Sequence, residues 1–119
     1  MSTTISGTNG VTFPDSTSMQ TGQQACKAWV NFNGTGTVEI RESYNVSSIT
    51  DNATGTYTVN FTVDMSNNNY ATCATGNDGN YATTFQGSFA QTTSAVKVLV
   101  YYGGSAYDVS VVSAAIFSN

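Results

Sequence analysis

Apolar and polar residues alternate with a period of two along most of the chain after residue 24. The clearest run is 57–63, where Tyr, Val, Phe and Val alternate with Thr and Asn, and in 95–102 three valines share one face. Because side chains of a β-strand point alternately to its two faces, this period predicts half-buried strands. None of the longer stretches of the chain shows the 3.6-residue period of an amphipathic helix.

Short strands separated by turn signals predict an all-β fold. The turns include Gly34-Thr35-Gly36 and Gly103-Gly104, and the spacing predicts a single antiparallel domain of about seven or eight short strands, a small barrel or a sandwich. We favour a sheet that closes on itself, because an open edge rich in Thr and Val needs protection. A strand from a neighbouring subunit on that edge is the alternative. Further predicted strands cover 10–13, 25–33, 36–46, 70–75, 81–89 and a last one that opens at 107 and ends near 117.

Residues 1–24 differ in composition from the β-domain predicted for 25–119. Thr, Ser, Gly, Asn and Gln dominate, and Asn9-Gly10 and Pro14 are turn signals. We predict an extended N-terminal segment that packs against neighbouring subunits. The segment lacks the basic residues and the apolar core of a signal peptide. No apolar run in the chain approaches the roughly 20 residues that span a bilayer, so membrane insertion is not expected.

Charge is scarce, with 8% charged residues and a formal net charge of -4. The three basic residues, Lys27, Arg41 and Lys97, are far apart in the sequence. Nucleic-acid binding needs a cluster of cations that displaces counterions from phosphates, so no nucleic-acid partner is expected. Anionic membrane surfaces are disfavoured for the same reason. The uncharged polar composition suits exposed β-surfaces such as those of fibres, adhesins and carbohydrate-binding domains.

The chain lacks the residues of common catalytic sites. It has no histidine, which excludes Ser-His-Asp and Cys-His triads. Glu39 and Glu42 lie three apart on a predicted strand, which places them on opposite faces and not across a cleft as glycosidase chemistry requires. We therefore predict no catalytic residue, no cofactor and no enzymatic activity.

Metal ligands and cysteines give no stronger signal. The loops 51–52 and 77–80 carry oxygen atoms that Ca²⁺ accepts, but Asn, Asp and Gly in these positions are also ordinary turn formers, which is the interpretation we favour. Cys26 and Cys73 are too few for a structural zinc site. They are expected to be buried free thiols, with a disulfide as the alternative if their Cα atoms approach within about 7 Å.

Aromatic residues are the remaining candidates for a binding surface. Trp29, the only tryptophan, shares a strand phase with Lys27 and Asn31, whereas Ala28, Val30 and Phe32 take the other phase. Trp29 is therefore a candidate for an outward contact with a subunit or ligand, and a core position is the alternative. Flat aromatic faces also hold sugars in β-domains. The tyrosines that offer such faces are Tyr70, Tyr81, Tyr101, Tyr102 and Tyr107.

The block from Ala25 to Val38, containing Lys-Ala-Trp-Val-Asn-Phe-Asn-Gly-Thr-Gly-Thr, carries a resemblance to a known family. It continues through Asn45-Val46-Ser47-Ser48-Ile49-Thr50-Asp51-Asn52 to the strand that ends at Phe61. These runs resemble a module of bacteriophage tail-fibre and other virion structural proteins. The resemblance covers residues 8–63 well and the closing run 109–117 more loosely. In the family, a short connector precedes this module, and Gly stands in that connector at the position of Ser16.

The resemblance implies a non-enzymatic virion structural module, assembled in the host cytoplasm and carried on the particle. It further implies a homo-oligomer, a trimer or larger ring, that contacts other virion proteins and a host-surface receptor such as a glycan. Trp29, Tyr101, Tyr102 and Tyr107 are the candidate interface or ligand residues. Two alternatives stay open: a cellular small β-barrel of the Sm-like or OB-like type, and a monomeric carbohydrate-binding module.

Overall fold

The computed structural model describes residues 4–7, 10–16, 18–19, 26–77 and 85–118, and their regular structure consists of β-strands alone. No helix in this part of the chain is long and apolar enough to cross a membrane. The strands are β1 (Thr4–Ser6), β2 (Gly10–Thr12), β3 (Ser18–Met19), β4 (Cys26–Asn33), β5 (Glu39–Tyr44), β6 (Val46–Ala53), β7 (Thr56–Phe61), β8 (Ala71–Asn77), β9 (Phe85–Phe89), β10 (Ala95–Tyr102), β11 (Ser105–Ala106) and β12 (Val111–Phe117).

Two antiparallel sheets form a sandwich. The first sheet has the order β5-β4-β12-β8, and the second has β11-β10-β7-β6 with β9 also paired to β10. Leu99 pairs with both Thr56 and Gly87, so β7 and β9 flank β10 on its two sides. Neither sheet closes into a barrel among the described strands. The all-β antiparallel prediction is confirmed as a sandwich, and the preference for a sheet that closes on itself is wrong.

The core lies between the facing sides of the two sheets. Phe32 on β4 and Tyr57 on β7 meet across it, with ring centroids 5.2 Å apart and planes at 74°, the edge-to-face geometry that aromatic pairs favour. The remaining core follows the alternation of the sequence in β4, β7, β10 and β12, where buried residues alternate with more exposed ones. The buried apolar residues are Ala28, Val30, Phe32, Val46, Tyr57, Val59, Phe61, Met65, Tyr70, Val96, Val98, Val100, Val109, Val112, Ala114 and Ile116.

A single residue, Asn45, carries the chain from the first sheet to the second. It separates β5 from β6 and has a φ of 56°, a left-handed conformation that asparagine tolerates better than most residues. Its side-chain amide donates to the carbonyl oxygens of Lys27 and Val63, both at 3.1 Å, and its Oδ1 accepts the Val63 N–H at 2.7 Å. The corner is therefore fastened to β4 and to the segment after β7. At this residue the chain leaves the first sheet and enters the second without a loop.

The Tyr57 hydroxyl closes one end of the sandwich. Its oxygen lies 2.9 Å from the carbonyl oxygen of Gly34 and 2.8 Å from Oδ1 of Asp108, and its one hydrogen is shared between these two acceptors. The same carboxylate oxygen accepts the N–H of Gly55 at 2.8 Å. A Cβ atom on Gly34 would lie 2.5 Å from the tyrosine oxygen, so only glycine fits this approach. One phenol thus connects the turn after β4, the β6–β7 turn and the segment before β12.

The N-terminal strands form a sheet of their own. β1, β2 and β3 pair antiparallel in that order, with Ile5 opposite Val11 and Val11 opposite Met19. The strand predicted at 10–13 is confirmed as β2. Ile5 is 83% exposed, so this sheet leaves apolar surface uncovered.

Several local expectations differ from the structure. The predicted loop at 51–55 is strand through Ala53 and then a two-residue turn in which Gly55 has a φ of 67°. The last strand begins at Val111 and not at Tyr107, because residues 107–110 serve the end closure described above. Cys26 and Cys73 are free, as expected, but Cys26 is only half-buried and Cys73 is exposed, so the expected burial is wrong.

Replacing Asn45 tests the corner. Asn45→Ala removes three hydrogen bonds. It also places alanine, which adopts the left-handed conformation less readily than asparagine, at this position. We therefore expect the unfolding free energy to fall by about 2–4 kcal/mol. Asn45→Gly restores the backbone freedom but not the bonds, and should lose less. Urea unfolding followed by circular dichroism measures both. Asn68→Ala is the matched control, since it replaces an exposed asparagine whose side chain makes no hydrogen bond among the described residues. An Asn45→Ala variant as stable as this control would contradict the proposed role.

Alkaline pH tests the buried tyrosines. Burial, and secondarily the hydrogen bond and charge of Asp108, raise the pKa of Tyr57, and burial raises the pKa of Tyr70. A phenol whose pKa is higher in the folded state contributes stability that is complete below the unfolded value of about 10 and is lost as pH rises above it. We expect unfolding free energy to fall above about pH 10, and to fall less steeply in Tyr57→Phe and Tyr70→Phe. An exposed replacement, Tyr44→Phe, should keep the wild-type curve. Identical alkaline curves for all four proteins would refute this assignment.

Candidate functional site

Trp29 lies on the outer face of the first sheet. Its neighbours Ala28 and Val30 are buried in the core, whereas the indole is 38% exposed. The phase of the sequence therefore predicted the direction of Trp29 correctly. The strand is held in place by β12 on one side and β5 on the other, so the indole stands on a rigid element.

A row of outward side chains crosses all four strands of this sheet at Trp29. Tyr44 on β5 is paired with Trp29, and Ala115 on β12 is paired with both Trp29 and Cys73 of β8. Because paired residues of neighbouring strands share a face, the row places two aromatic rings beside two small side chains. Tyr44 is 57% exposed, which makes it the more accessible ring.

A second row runs parallel to the first and is polar. It contains Glu42, Asn31, Ser113 and Thr75 in register. The Asn31 amide donates to the Ser113 hydroxyl at 3.0 Å, and Arg41 donates to the Asn31 Oδ1 at 3.3 Å. These bonds fix the amide and the hydroxyl in defined directions.

The two rows enclose a concavity that we call the groove. It has a volume of about 330 Å³. Its lining combines the large indole of Trp29 with the small side chains of Ala115 and Ser113. An aromatic ring beside small residues suits contact with a planar or ring-shaped ligand. Its outward side chains are Trp29, Asn31, Cys73, Thr75, Ser113 and Ala115.

A second concavity, the corner pocket, is lined by Tyr44, which is the cross-strand partner of Trp29 in the groove. It has a volume of about 550 Å³ and lies where Asn45 turns the chain between the sheets. Its walls come from the outer face of β4 and β5 and from the segment that follows β7. The side chains that line it are Lys27, Tyr44, Asn45, Thr62, Val63, Asp64, Met65 and Ser66.

Several polar groups of the corner pocket have no structural task among the described residues. The Lys27 ammonium, the Asp64 carboxylate and the Ser66 hydroxyl make no hydrogen bond or ion pair within this part of the chain. Asn45 differs, because all of its side-chain bonding serves the backbone. The pocket thus presents a cation, an anion and a hydroxyl beside the ring of Tyr44.

The other predicted site residues lie elsewhere. Tyr102 and Tyr107 are exposed and contact each other edge to face, with centroids 6.2 Å apart, but they belong to the β10–β11 hairpin of the second sheet. Tyr101 has the opposite strand phase to Tyr102. Tyr70 is buried with its hydroxyl on the carbonyl oxygens of Thr92 and Ala95, at 2.8 and 2.9 Å, so it offers no sugar-binding face.

Of the loop predicted at 77–80, Asn77 belongs to β8, and residues 78–80, like Tyr81, lie outside the described residues. The structure therefore brings Tyr102 and Tyr107 together. The residue paired with Trp29 is Tyr44, which the sequence analysis did not single out.

Tyr44 was missed because a bulge changes the phase of β5. Phe32 pairs with Ile40 and Asn31 pairs with Glu42, so Arg41 is an extra residue between them. A bulge of this kind shifts the alternation by one position. It also overturns the expectation for Glu39 and Glu42, which pair with the outward residues Asn33 and Asn31 and so share the outer face. The register of Tyr44 opposite Trp29 depends on this bulge, and no turn-forming residue in the sequence indicates that the bulge is there.

The described residues contain no group of three or more acidic or cysteine side chains placed to hold a metal ion. Asp51 and Asn52, considered above as calcium ligands, lie in β6 and not in a loop. The arrangement offers stacking, hydrogen bonding and charge, which are the components of binding.

Comparison of the chain with protein-family models, with curated proteins and with solved structures found no significant match.

Cysteine reactivity tests the geometry of the groove. Cys73 is exposed and lines the groove, whereas Cys26 is half-buried and its thiol contacts the Ala28 carbonyl oxygen at 3.1 Å. We expect N-ethylmaleimide to modify Cys73 several times faster than Cys26, because access limits the reaction of the less exposed thiol. Tryptic cleavage at Lys27 and Arg41 separates the two cysteines for mass spectrometry. Faster labelling of Cys26 would contradict the described face.

Proposed function

We propose that this chain is a non-enzymatic structural module of the bacteriophage tail-fibre type, which self-associates in a virion and presents a binding face to a host surface. The proposal is supported by the resemblance of residues 8–63 and by one structural observation, the exposure of Ile5 on the N-terminal sheet. Other virion proteins and a host-surface glycan are the partners that it implies.

The N-terminal sheet is too small to be stable without a covering surface. Its strands have two or three residues each, and small isolated sheets are marginal in water because ordering the chain costs more than so few contacts return. Ile5 and Val11 share one face, and Ile5 is largely exposed. A surface outside this sheet has to cover that face if the strands persist.

A second copy of the chain is the covering surface that this proposal favours. Copies arranged around one rotation axis bring their identical N-terminal sheets together at that axis, and such symmetric self-association needs no further component. The polar, charge-poor composition of the chain also keeps like-charge repulsion between copies low, since only ten residues are charged, three basic and seven acidic.

The two alternatives differ in what supports them. An Sm-like or OB-like ring requires a small closed barrel, whereas the described sheets are open. A monomeric carbohydrate-binding module is favoured by one observation, the aromatic row at Trp29 and Tyr44. Solution mass separates this second candidate from the fibre-type module.

Sedimentation equilibrium of the whole chain at several concentrations tests self-association. We expect a trimer or larger closed ring, and we expect Ile5→Ser and Val11→Ser to shift the mass toward the monomer because each removes apolar area from the shared face. Val63→Ser, an exposed valine 67% accessible on the corner pocket, is the matched control and should keep the wild-type mass. A monomer at all concentrations would contradict the proposed assembly.

A further inference from the structure

We propose that the groove and the corner pocket together form one binding site for an oligosaccharide, with Trp29 and Tyr44 as its stacking platform. This inference deepens the proposed function, on which it rests, by locating the receptor-binding site and naming its ligand class. The site is the outer face of the first sheet, from Cys73 on β8 to Asp64 beyond β7.

The length of the site suits a chain of linked rings and not a single small molecule. Cys73, Ala115, Trp29 and Tyr44 occupy four neighbouring strands, and strands are roughly 4.8 Å apart, so the row spans about 14 Å before the corner pocket begins. One residue of a cross-strand aromatic pair lines each concavity, so the two concavities give neighbouring positions for consecutive sugar units.

The aromatic pair supplies the apolar contact that a sugar ring needs. The C–H face of a pyranose is apolar, whereas its rim carries hydroxyls, so an exposed indole or phenol ring covers the face and leaves the rim for hydrogen bonds. The backbones of Trp29 and Tyr44 are held by cross-strand pairing on adjacent strands, so binding a ligand here orders side chains but not the chain that carries them.

Polar groups lie on both sides of the platform. In the groove the Asn31 amide and the Ser113 hydroxyl are oriented by their mutual hydrogen bond. In the corner pocket Lys27, Asp64 and Ser66 have no partner among the described residues. The hydroxyl groups of a sugar can donate to the Asp64 carboxylate and accept from the Lys27 ammonium, so both charges can bind the same oligosaccharide.

Other ligand classes fit this surface less well. A nucleic acid also stacks on aromatic rings, but its phosphates need several cations, and this site holds Lys27 beside an opposing Asp64. A second copy of the chain favours a flat and complementary apolar surface, whereas this face alternates a polar row with an aromatic one around a concavity. Binding of a second copy to this face is one of the outcomes that the test below distinguishes.

The test uses the whole chain and an array of purified bacterial surface oligosaccharides, namely repeat units of O-antigens and capsules. The strongest binder is then titrated into the protein by calorimetry and by fluorescence. Trp29 is the only tryptophan, so its emission reports contact at the platform directly. We expect the emission to change on binding, and we expect the oligosaccharide to slow the labelling of Cys73 but not of Cys26.

Variants separate this site from others on the molecule. Tyr44→Ala and Trp29→Ala should each weaken binding by about tenfold, comparable to the loss of one aromatic contact and its buried area. Asp64→Asn should weaken it while the fold is unchanged, since the carboxylate bonds to no described residue. Tyr102→Ala removes an equally exposed ring of the other aromatic pair and should bind as the wild type does. Circular dichroism confirms that each variant is folded.

Several results would overturn the inference. They are binding to no oligosaccharide on the array, binding with unchanged Trp29 emission, or loss of binding in Tyr102→Ala alone. Solution mass measured on the same samples distinguishes its failure from that of the proposed assembly: a monomer that binds at Trp29 contradicts only the assembly, and an oligomer that binds no glycan contradicts only this site. An oligomer that dissociates in Trp29→Ala would make this face an interface between copies and refute the glycan site.

Discussion

The buried hydroxyl of Tyr57 is the constraint on which the arrangement of this sandwich depends. Its ring packs against Phe32 of the opposite sheet, and its oxygen bonds to the Gly34 carbonyl and to Asp108. A phenol in an apolar core has to satisfy its polar end, so the three segments around it take positions that bring acceptors to one point. The turn after β4 then needs glycine, and the path before β12 bends to present Asp108. The two sheets are held in one relative position by this set of contacts.

The sequence predicted the strands well wherever burial followed a simple alternation. The phase of β4 correctly placed Ala28, Val30 and Phe32 inside and Trp29 outside, because each strand has one buried face. It predicted poorly where one residue changes the path of the chain. Asn45 cannot be distinguished in the sequence from any other polar strand residue, yet the chain turns there between the two sheets. Nothing in the composition marks Arg41 as a bulge, yet it sets the strand phase of Tyr44.

The candidate site shows the same division. Trp29 was recoverable from the period of its strand, whereas its partner Tyr44 required the bulge and the four-strand register to be known. Asp64 and Ser66 meet Lys27 only through tertiary structure, since the segment after β7 returns to the corner. Residues that are adjacent in a strand can be assigned to a face from the sequence. Residues that converge from three segments cannot, because long-range pairing decides their proximity.

The one-residue passage at Asn45 also limits how copies of this protein can join. A one-residue hinge held in a left-handed conformation would favour exchange of strands between chains if nothing restrained it, because straightening the hinge relieves the strain. The three side-chain bonds of Asn45 to β4 and to the segment after β7 oppose that opening. At this corner, β5 and β6 are therefore kept by the chain that made them.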